Sequence, residues 1–330
     1  MTDTTSGDSS KAESGDASET DSGDSSEPDA AFAAVSDPTR IAILRELASH
    51  ARETGEETVG FAALRKRAGV EDSGRFRYHL NTLVGHFVAK EDDGYRLSHA
   101  GFEIVAAILA GRYTDHEQVG PTAVDGACNV CGAEATGVYE NGRLEVTCAN
   151  DHPLLSWAIP PNAATDATVN DLATLATSLI RHAIDLALQG VCSECYGTMT
   201  TRITSRERDE DGSNRRDERS EDRNGGAGDS ETSDKRTTPV FRGDCEMCAA
   251  SLVGPAWFAL TVHPTVDAFY HDHGLAVRDA LLWELGHVEY DTKPVRDDDS
   301  VVISVVLDDE RLDVTLSETG HVLETDVGPV

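Results

Sequence analysis

The apolar residues first recur at helical spacing in "DPTRIAILREL" (37–47), where Ile41, Leu44 and Leu47 form one stripe and Ile43 widens it. The Asp that opens this run suits a helix cap, and the Pro behind it suits a first turn. A second short helix is predicted over "FAALRKRAGV" (61–70), stopped by Gly69. Asp72 or Ser73 can then cap a third, on which Phe76, Leu80, Leu83 and Val84 fall at i, i+4, i+7 and i+8 and face a core. Arg75, Arg77, Tyr78, His79, Asn81 and Thr82 lie off that stripe. "FVAKEDDGYRLS" (87–98) reads as a β-hairpin around an Asp-Gly turn, and "SHAGFEIVAAILAG" (98–111) as a closing helix ended by Gly111. Residues 31–113 are thus expected to fold as one helical domain with one hairpin.

Farther along, the period changes. "GVYENGRLEVTC" (137–148) is strand, Asn-Gly turn, strand, at the centre of a cysteine-rich module over residues 126–160. Residues 165–189 read as a connecting helix, with Leu172, Leu175, Leu179, Ile180, Ala183 and Ile184 at spacings of three and four. Within residues 190–330, "GTMTTRIT" (197–204) and "TPVFRGDC" (238–245) look like paired strands whose turn is extended by a charged, Gly- and Ser-rich insert over 205–238, expected to be disordered. A helical stretch at 263–285 has Phe269, Leu282 and Trp283 as its expected core. Residues 301–324 read as two or three strands with the charged "DDER" as the first turn, a small α/β end suited to effector binding or dimerisation. The first 30 residues are nearly devoid of apolar side chains and are expected to form a disordered acidic tail. The fold class expected is α+β.

Charge sharpens this picture. The chain has 28 Lys and Arg against 60 Asp and Glu, a formal net charge of −32. So uniform an excess suits a protein kept in solution at high salt, and a halophilic source is expected. No signal peptide and no membrane-length apolar run is found, so a cytoplasmic protein is expected. Residues 31–113 depart from the rest: eleven Lys and Arg stand there against eleven Asp and Glu. Arg65, Lys66, Arg67, Arg75 and Arg77 cluster within them, the footprint a nucleic-acid-binding segment needs.

Six of the seven cysteines fall in three CxxC pairs, a pattern that in the cytosol means metal more often than disulfides. Cys128, Cys131, Cys148 and His152 supply four ligands from a hairpin, and Cys192, Cys195, Cys245 and Cys248 supply a second four across a 49-residue separation. Thiolate and imidazole at these spacings favour Zn²⁺, and four protein ligands make a structural site. Redox dithiols are the alternative for the second set. His263, His271 and His273 admit a third metal or ligand pocket, or ordinary capping and surface roles. No phosphate loop, GxSxG, HExxH or paired carboxylates are found, so an enzyme is not expected.

Taken in order, "SDPTRIAILREL" and "YHLNTLVGHFVAKEDDGYRLSHAG" resemble the ArsR-type winged helix-turn-helix regulators, especially their halophilic archaeal branch, over about a quarter of the chain. The resemblance implies that the third helix enters the DNA major groove, that the hairpin is a wing meeting the backbone, and that the active form is a homodimer. It also implies a cysteine-rich, zinc-ribbon-like C-terminal part. The N-terminal domain has no cysteine, so metal sensing in that domain is not implied. The expected DNA-contacting residues are Arg65, Lys66, Ser73, Arg75, Arg77, Tyr78, His79 and Asn81, with Lys90 and Arg96 on the wing. His79 reads more as a surface residue or helix neighbour than as a base reader, and Tyr78 reads equally as an edge-packing residue. Arg and Asn there can make bidentate base contacts worth ~1–3 kcal/mol each. The expected function is a DNA-binding transcriptional regulator, with repression the favoured sense. The rival expectations are an adaptor of the transcription machinery and a zinc-thiolate redox sensor.

Overall fold

The computed structural model describes residues 28–113, 118–207, 237–285, 288–291 and 300–330, with backbone alone at 28, 205–207, 237 and 288–291. Most of the expected acidic tail and of the charged insert lies outside the described residues. The chain divides into two units, Met1–Leu109 and Ala110–Val330.

The first unit opens with a helix, α1 (Pro28–Val35), which begins inside the span expected to be a tail; Ala34 is buried and Ala31 and Val35 pack on the same core. Helix α2 (Pro38–Thr54) starts where expected, because the Asp37 carboxylate accepts from the backbone N–H groups of Thr39 and Arg40. It ends at Gly55, whose φ of 74° lets its N–H reach the Ala51 carbonyl. The buried stripe is Ile43, Leu44 and Leu47, with Ile41 only half-buried, so Ile43 lies nearer the stripe's centre than expected. Helix α3 (Phe61–Arg67) buries Leu64. Helix α4 (Ser73–Leu83) is capped by Asp72, whose carboxylate accepts from the Arg75 N–H, so Ser73 is the first helical residue rather than the cap. Strands β1 (Val88–Lys90) and β2 (Tyr95–Leu97) pair antiparallel as the expected hairpin. Val59 adds a third rung, exchanging both backbone hydrogen bonds with Tyr95 at 3.0 Å, which nothing in its sequence surroundings signalled. Helix α5 (His99–Leu109) closes the unit.

The second unit begins with a four-stranded antiparallel sheet, β3 (Val119–Ala127), β4 (Glu134–Glu140), β5 (Arg143–Cys148) and β6 (Pro153–Ala158), in sequential order. Asn141 and Gly142 take φ of 51° and 75°, the left-handed pair that a tight two-residue hairpin requires. A short turn of helix, α6 (Pro161–Ala164), leads to α7 (Val169–Leu188). Thr168 and Asp171 cap α7 reciprocally, each satisfying the other's backbone N–H. Leu172, Ile180, Ala183 and Ile184 are buried as expected, whereas Leu175 and Leu179 stand at the margin.

A three-stranded sheet follows, β7 (Met199–Glu207), β8 (Thr237–Cys245) and β9 (Ser251–Pro255). The expected strand pair is present, and both strands run on into the two ends of the span expected to be a disordered insert. A 3-10 stretch (Ala256–Val262), α8 (Pro264–Asp272) and a 3-10 turn (Leu282–Leu285) then cover the core. The chain finishes as an antiparallel meander, β10 (Val288–Asp291), β11 (Val301–Leu307), β12 (Glu310–Leu316) and β13 (Val322–Pro329). Phe269, Leu282 and Trp283 are buried, as expected.

The two cysteine-bearing sheets follow one plan. Each runs CxxC turn, strand, strand, second ligand turn and third strand, then a proline that leads into helical structure at Pro160 or Pro255. The meander is fastened to the second sheet through its 317–321 turn: the Ile203 N–H donates to the Glu318 carbonyl at 2.6 Å and the Thr201 hydroxyl to the Thr319 carbonyl at 2.8 Å.

Gly101 sets how closely α5 lies on the hairpin, since a Cβ there would collide with the Phe87 carbonyl. Helix propensity alone makes Gly101→Ala stabilising by about 1 kcal/mol. The collision is with backbone, which cannot swing aside, so the substitution is expected to loosen the unit. Hydrogen exchange on the full chain checks this: α5 and β1–β2 amides should exchange faster in the variant, and slower exchange would refute the packing argument.

Candidate metal centres and nucleic-acid interface

The first cysteine centre is assembled at one end of the first sheet. Cys128 follows β3, Cys131 closes a turn in which the Gly132 N–H donates to the Cys128 carbonyl, and Cys148 ends β5 directly opposite Ala135. Asp151 takes φ of 60°, and the chain reverses so that the Cys148 N–H donates to the His152 carbonyl, bringing the imidazole back over the thiols. Cys128 Sγ is 3.6 Å and Cys148 Sγ 3.5 Å from His152 Nδ1, and Cys131 Sγ is 3.7 Å from Cys148 Sγ. The second centre has the same form, with Cys192 and Cys248 Sγ 3.7 Å apart and Cys195 and Cys245 Sγ 3.6 Å apart. In each centre all four donor atoms lie within 4.8 Å of one another.

These separations exclude disulfides, whose sulfurs stand about 2.05 Å apart. Ligands about 2.3 Å from a common centre at tetrahedral angles stand about 3.8 Å apart. The closest pairs in both quartets come near that value and every other pair lies within 4.8 Å, so both can hold a metal ion. Backbone donors point at the sulfurs: Val130 N–H donates to Cys128 Sγ, Glu194 N–H to Cys192 Sγ, and Met247 and Cys248 N–H to Cys245 Sγ, at 3.3–3.4 Å. The four thiols of a quartet are not alike, for burial pushes the Cys128 thiol up and Cys248 is pushed up to about 12. The Asn150 side-chain amide, helped by the Ala133 N–H, brings the Cys131 thiol down to about 6. Backbone N–H groups of Cys248 and Met247 bring Cys245 down to about 6. Asn150 escaped the sequence reading, although its place inside "CANDH" was the available signal. Cys128, Cys148, Cys192 and Cys245 are buried, and Cys131, Cys195 and Cys248 are exposed.

His263, His271 and His273 make no such group among the described residues. His273 Nδ1 lies 2.8 Å from the Phe269 carbonyl and Nε2 3.6 Å from Glu310, His271 is exposed, and His263 takes the N-cap position of α8 with no capping bond from its side chain.

In the first unit, α4 presents Ser73, Arg75, Arg77, Tyr78 and Asn81 to solvent, with Tyr78 67 % exposed. The Arg77 guanidinium lies 5.1 Å above the Phe61 ring, which meets Phe76 edge-on, so this arginine is held over the start of α3. Phe61 was not expected to serve that role. His79 departs from expectation. It is only 7 % exposed, fills the buried stripe between Phe76 and Leu83, and points Nδ1 toward Asp37 Oδ1 at 3.5 Å. The Arg65 guanidinium donates to the Val70 and Glu71 carbonyls and so closes the α3–α4 turn. Arg96 pairs with Glu91 at 2.9 Å, whereas Lys66 and Lys90 are exposed. Among the described residues, no helix is long and apolar enough to cross a membrane.

Fold and site thus define an α+β protein of two units, the second carrying two centres able to bind metal. Residues 125–322 match the family described as a domain of unknown function, DUF7351, and residues 28–108 match a second domain of unknown function, DUF7347. The first match spans more than half of the chain, which belongs to the DUF7351 family. No curated protein matches it.

Two separate quartets predict two equivalents of bound metal per chain. Cys148→Ser and Cys245→Ser should each remove one equivalent and leave the other, as read by elemental analysis of the purified full-length variants. Loss of both equivalents from either variant would refute two independent centres.

Proposed function

We propose that this protein is a DNA-binding transcriptional regulator, with repression the favoured sense, whose N-terminal unit is a winged helix-turn-helix and whose C-terminal unit carries two structural Zn²⁺ sites in zinc-ribbon-like modules. The observation that carries the reading is the outer surface of α4. Arg77, Tyr78 and Asn81 fall at helical spacing on one exposed stripe, with Arg75 beside it, while Phe76, His79, Leu80 and Leu83 bury the opposite side. An α-helix fits the major groove, and arginine and asparagine pair bidentately with guanine and adenine edges. Thiolate and imidazole donors in tetrahedral quartets suit Zn²⁺ better than a hard cation, and four protein ligands leave no position open for chemistry. The zinc ions would staple the modules, and the ArsR-type resemblance implies a homodimer on double-stranded DNA.

One observation favours a second reading. Cys131, Cys195 and Cys248 are solvent-exposed, so an oxidant could reach ligand sulfur, as in a zinc-thiolate redox sensor.

Selection of genomic fragments in molar KCl, comparing zinc-loaded wild type with the Arg75→Ala/Arg77→Ala double variant, tests the first reading. Wild type should enrich a palindromic motif and the variant should not. Failure of folded, zinc-loaded wild type to enrich any sequence would sink the regulator reading and favour a protein-binding adaptor.

A further inference from the structure

The cations of the N-terminal unit are not equally available. Arg67 spans the Glu46 and Glu53 carboxylates at 3.2 and 2.9 Å, Arg40 reaches the Ala33 carbonyl, and Arg65 is spent on the α3–α4 turn. Among the described residues, Lys66, Arg75 and Arg77 on α3 and α4 have no hydrogen-bond or carboxylate partner; of the other cations in this state, Arg45 stands on α2 and Lys90 on the hairpin. The hairpin has the opposite balance. Lys90 runs straight into Glu91, Asp92 and Asp93, all exposed at its tip, and its other cation, Arg96, is paired with Glu91. Asp93 is held in place by the Thr58 hydroxyl at 3.0 Å. An approaching polyanion therefore meets positive charge on α3–α4 and negative charge on the hairpin tip.

We propose, resting on the DNA-binding reading above, that the hairpin is not a phosphate-contacting wing in this protein, and that the α3–α4 face alone holds the duplex. Lys66, Arg75 and Arg77 supply the charge, and Tyr78 and Asn81 supply uncharged contacts. Arg77, already ordered over Phe61, loses little freedom on docking against a phosphate. This departs from what the family resemblance implies for the wing. It also suits high salt. Counterion release yields least there, and an interface neutralising about three phosphates per protomer gives a slope of log K against log[salt] of only about −2.7.

The test titrates full-length, zinc-loaded protein against a fluorescently labelled mixed-sequence duplex from low to molar KCl, with stoichiometry read in the same samples. Wild type should bind at low salt with a slope of about −2.7 per protomer. Arg77→Ala should flatten the slope by about 0.9, and Lys90→Ala should leave affinity and slope unchanged. Asp92→Lys/Asp93→Lys, which brings positive charge to the tip, should tighten binding and steepen the slope. Flattening by Lys90→Ala would put the hairpin on the phosphates and overturn the proposal while DNA binding stands. No flattening by Arg77→Ala would overturn it equally. Absence of binding at the lowest salt, with the protein folded and zinc-loaded, would remove the DNA-binding reading and the proposal together.

Discussion

A sheet of three or four short strands has an apolar face to bury and too little area to bury it alone, and in the C-terminal unit one helix meets that need for both cysteine-bearing sheets. Helix α7 packs against all four strands of the first sheet, against β7 of the second, and against the 3-10 stretch that follows β9. Its buried face mixes Leu172, Ile180 and Ile184 with Ala173, Ala176, Ala183 and Ala187. The alanines let backbone approach backbone, while each fully buried Leu or Ile contributes about 1.5–3 kcal/mol. From the same helix Arg181 reaches the carbonyls of Arg278 and Ala280, and Thr177 accepts the Leu282 N–H. The segment after α8 is thus tied to the element that orders the sheets.

What α7 does for the sheet faces, the cysteine quartets do for the strand ends. Ala135 pairs with Cys148 and Met199 with Cys245, so each quartet sits at the end of its hairpin opposite the connection. In the first module that connection is Asn141-Gly142. In the second it is the whole span between Glu207 and Thr237. Loop closure grows costlier only with the logarithm of length, so a hairpin whose far end is fixed tolerates such an extension. A metal bound there would fix register where the turn no longer can, since a slip of one residue would carry a cysteine to the wrong face of the sheet.

How much of this was legible depended on whether one residue carried its own signal. The ligand quartets were legible because cysteine spacing is chemistry in itself, and α2, α4, α7 and the hairpins because period and cap coincide. Strand β3 was not, since "VGPTAVDGA" has proline and two glycines and pairs irregularly with β4. His79 shows a different failure. Phe76, His79, Leu80 and Leu83 form a complete i, i+3, i+4, i+7 stripe, so spacing pointed to burial while residue type pointed to the surface. Spacing prevailed although the imidazole Nδ1 makes no hydrogen bond; the nearest carboxylate, Asp37 at the cap of α2, stands 3.5 Å away. Arg65 and Arg96 show a third limit: charge is visible in sequence, but whether a carbonyl or carboxylate has already claimed it is not.

That last distinction weighs most in a chain with 60 acidic residues and 28 basic ones, of which only five are lysine. Arginine offers a planar fork of donors that can hold two acceptors at once. The structure uses it so: Arg65 on the Val70 and Glu71 carbonyls, Arg67 on two carboxylates, Arg181 on two carbonyls, Arg96 on the Glu91 carboxylate and the Leu97 carbonyl. Surplus carboxylate would pair any cation that packing leaves within reach. An exposed arginine that stays unpaired is therefore one whose nearby acids are otherwise engaged or out of reach. Among the described residues Arg75 and Arg77 are such a pair: the Asp72 carboxylate, only three residues before Arg75, is occupied in capping α4, and Arg77 is drawn to the Phe61 ring. In a protein of balanced charge two such side chains would mean little, but on this surface they are what supports the proposed DNA-binding face.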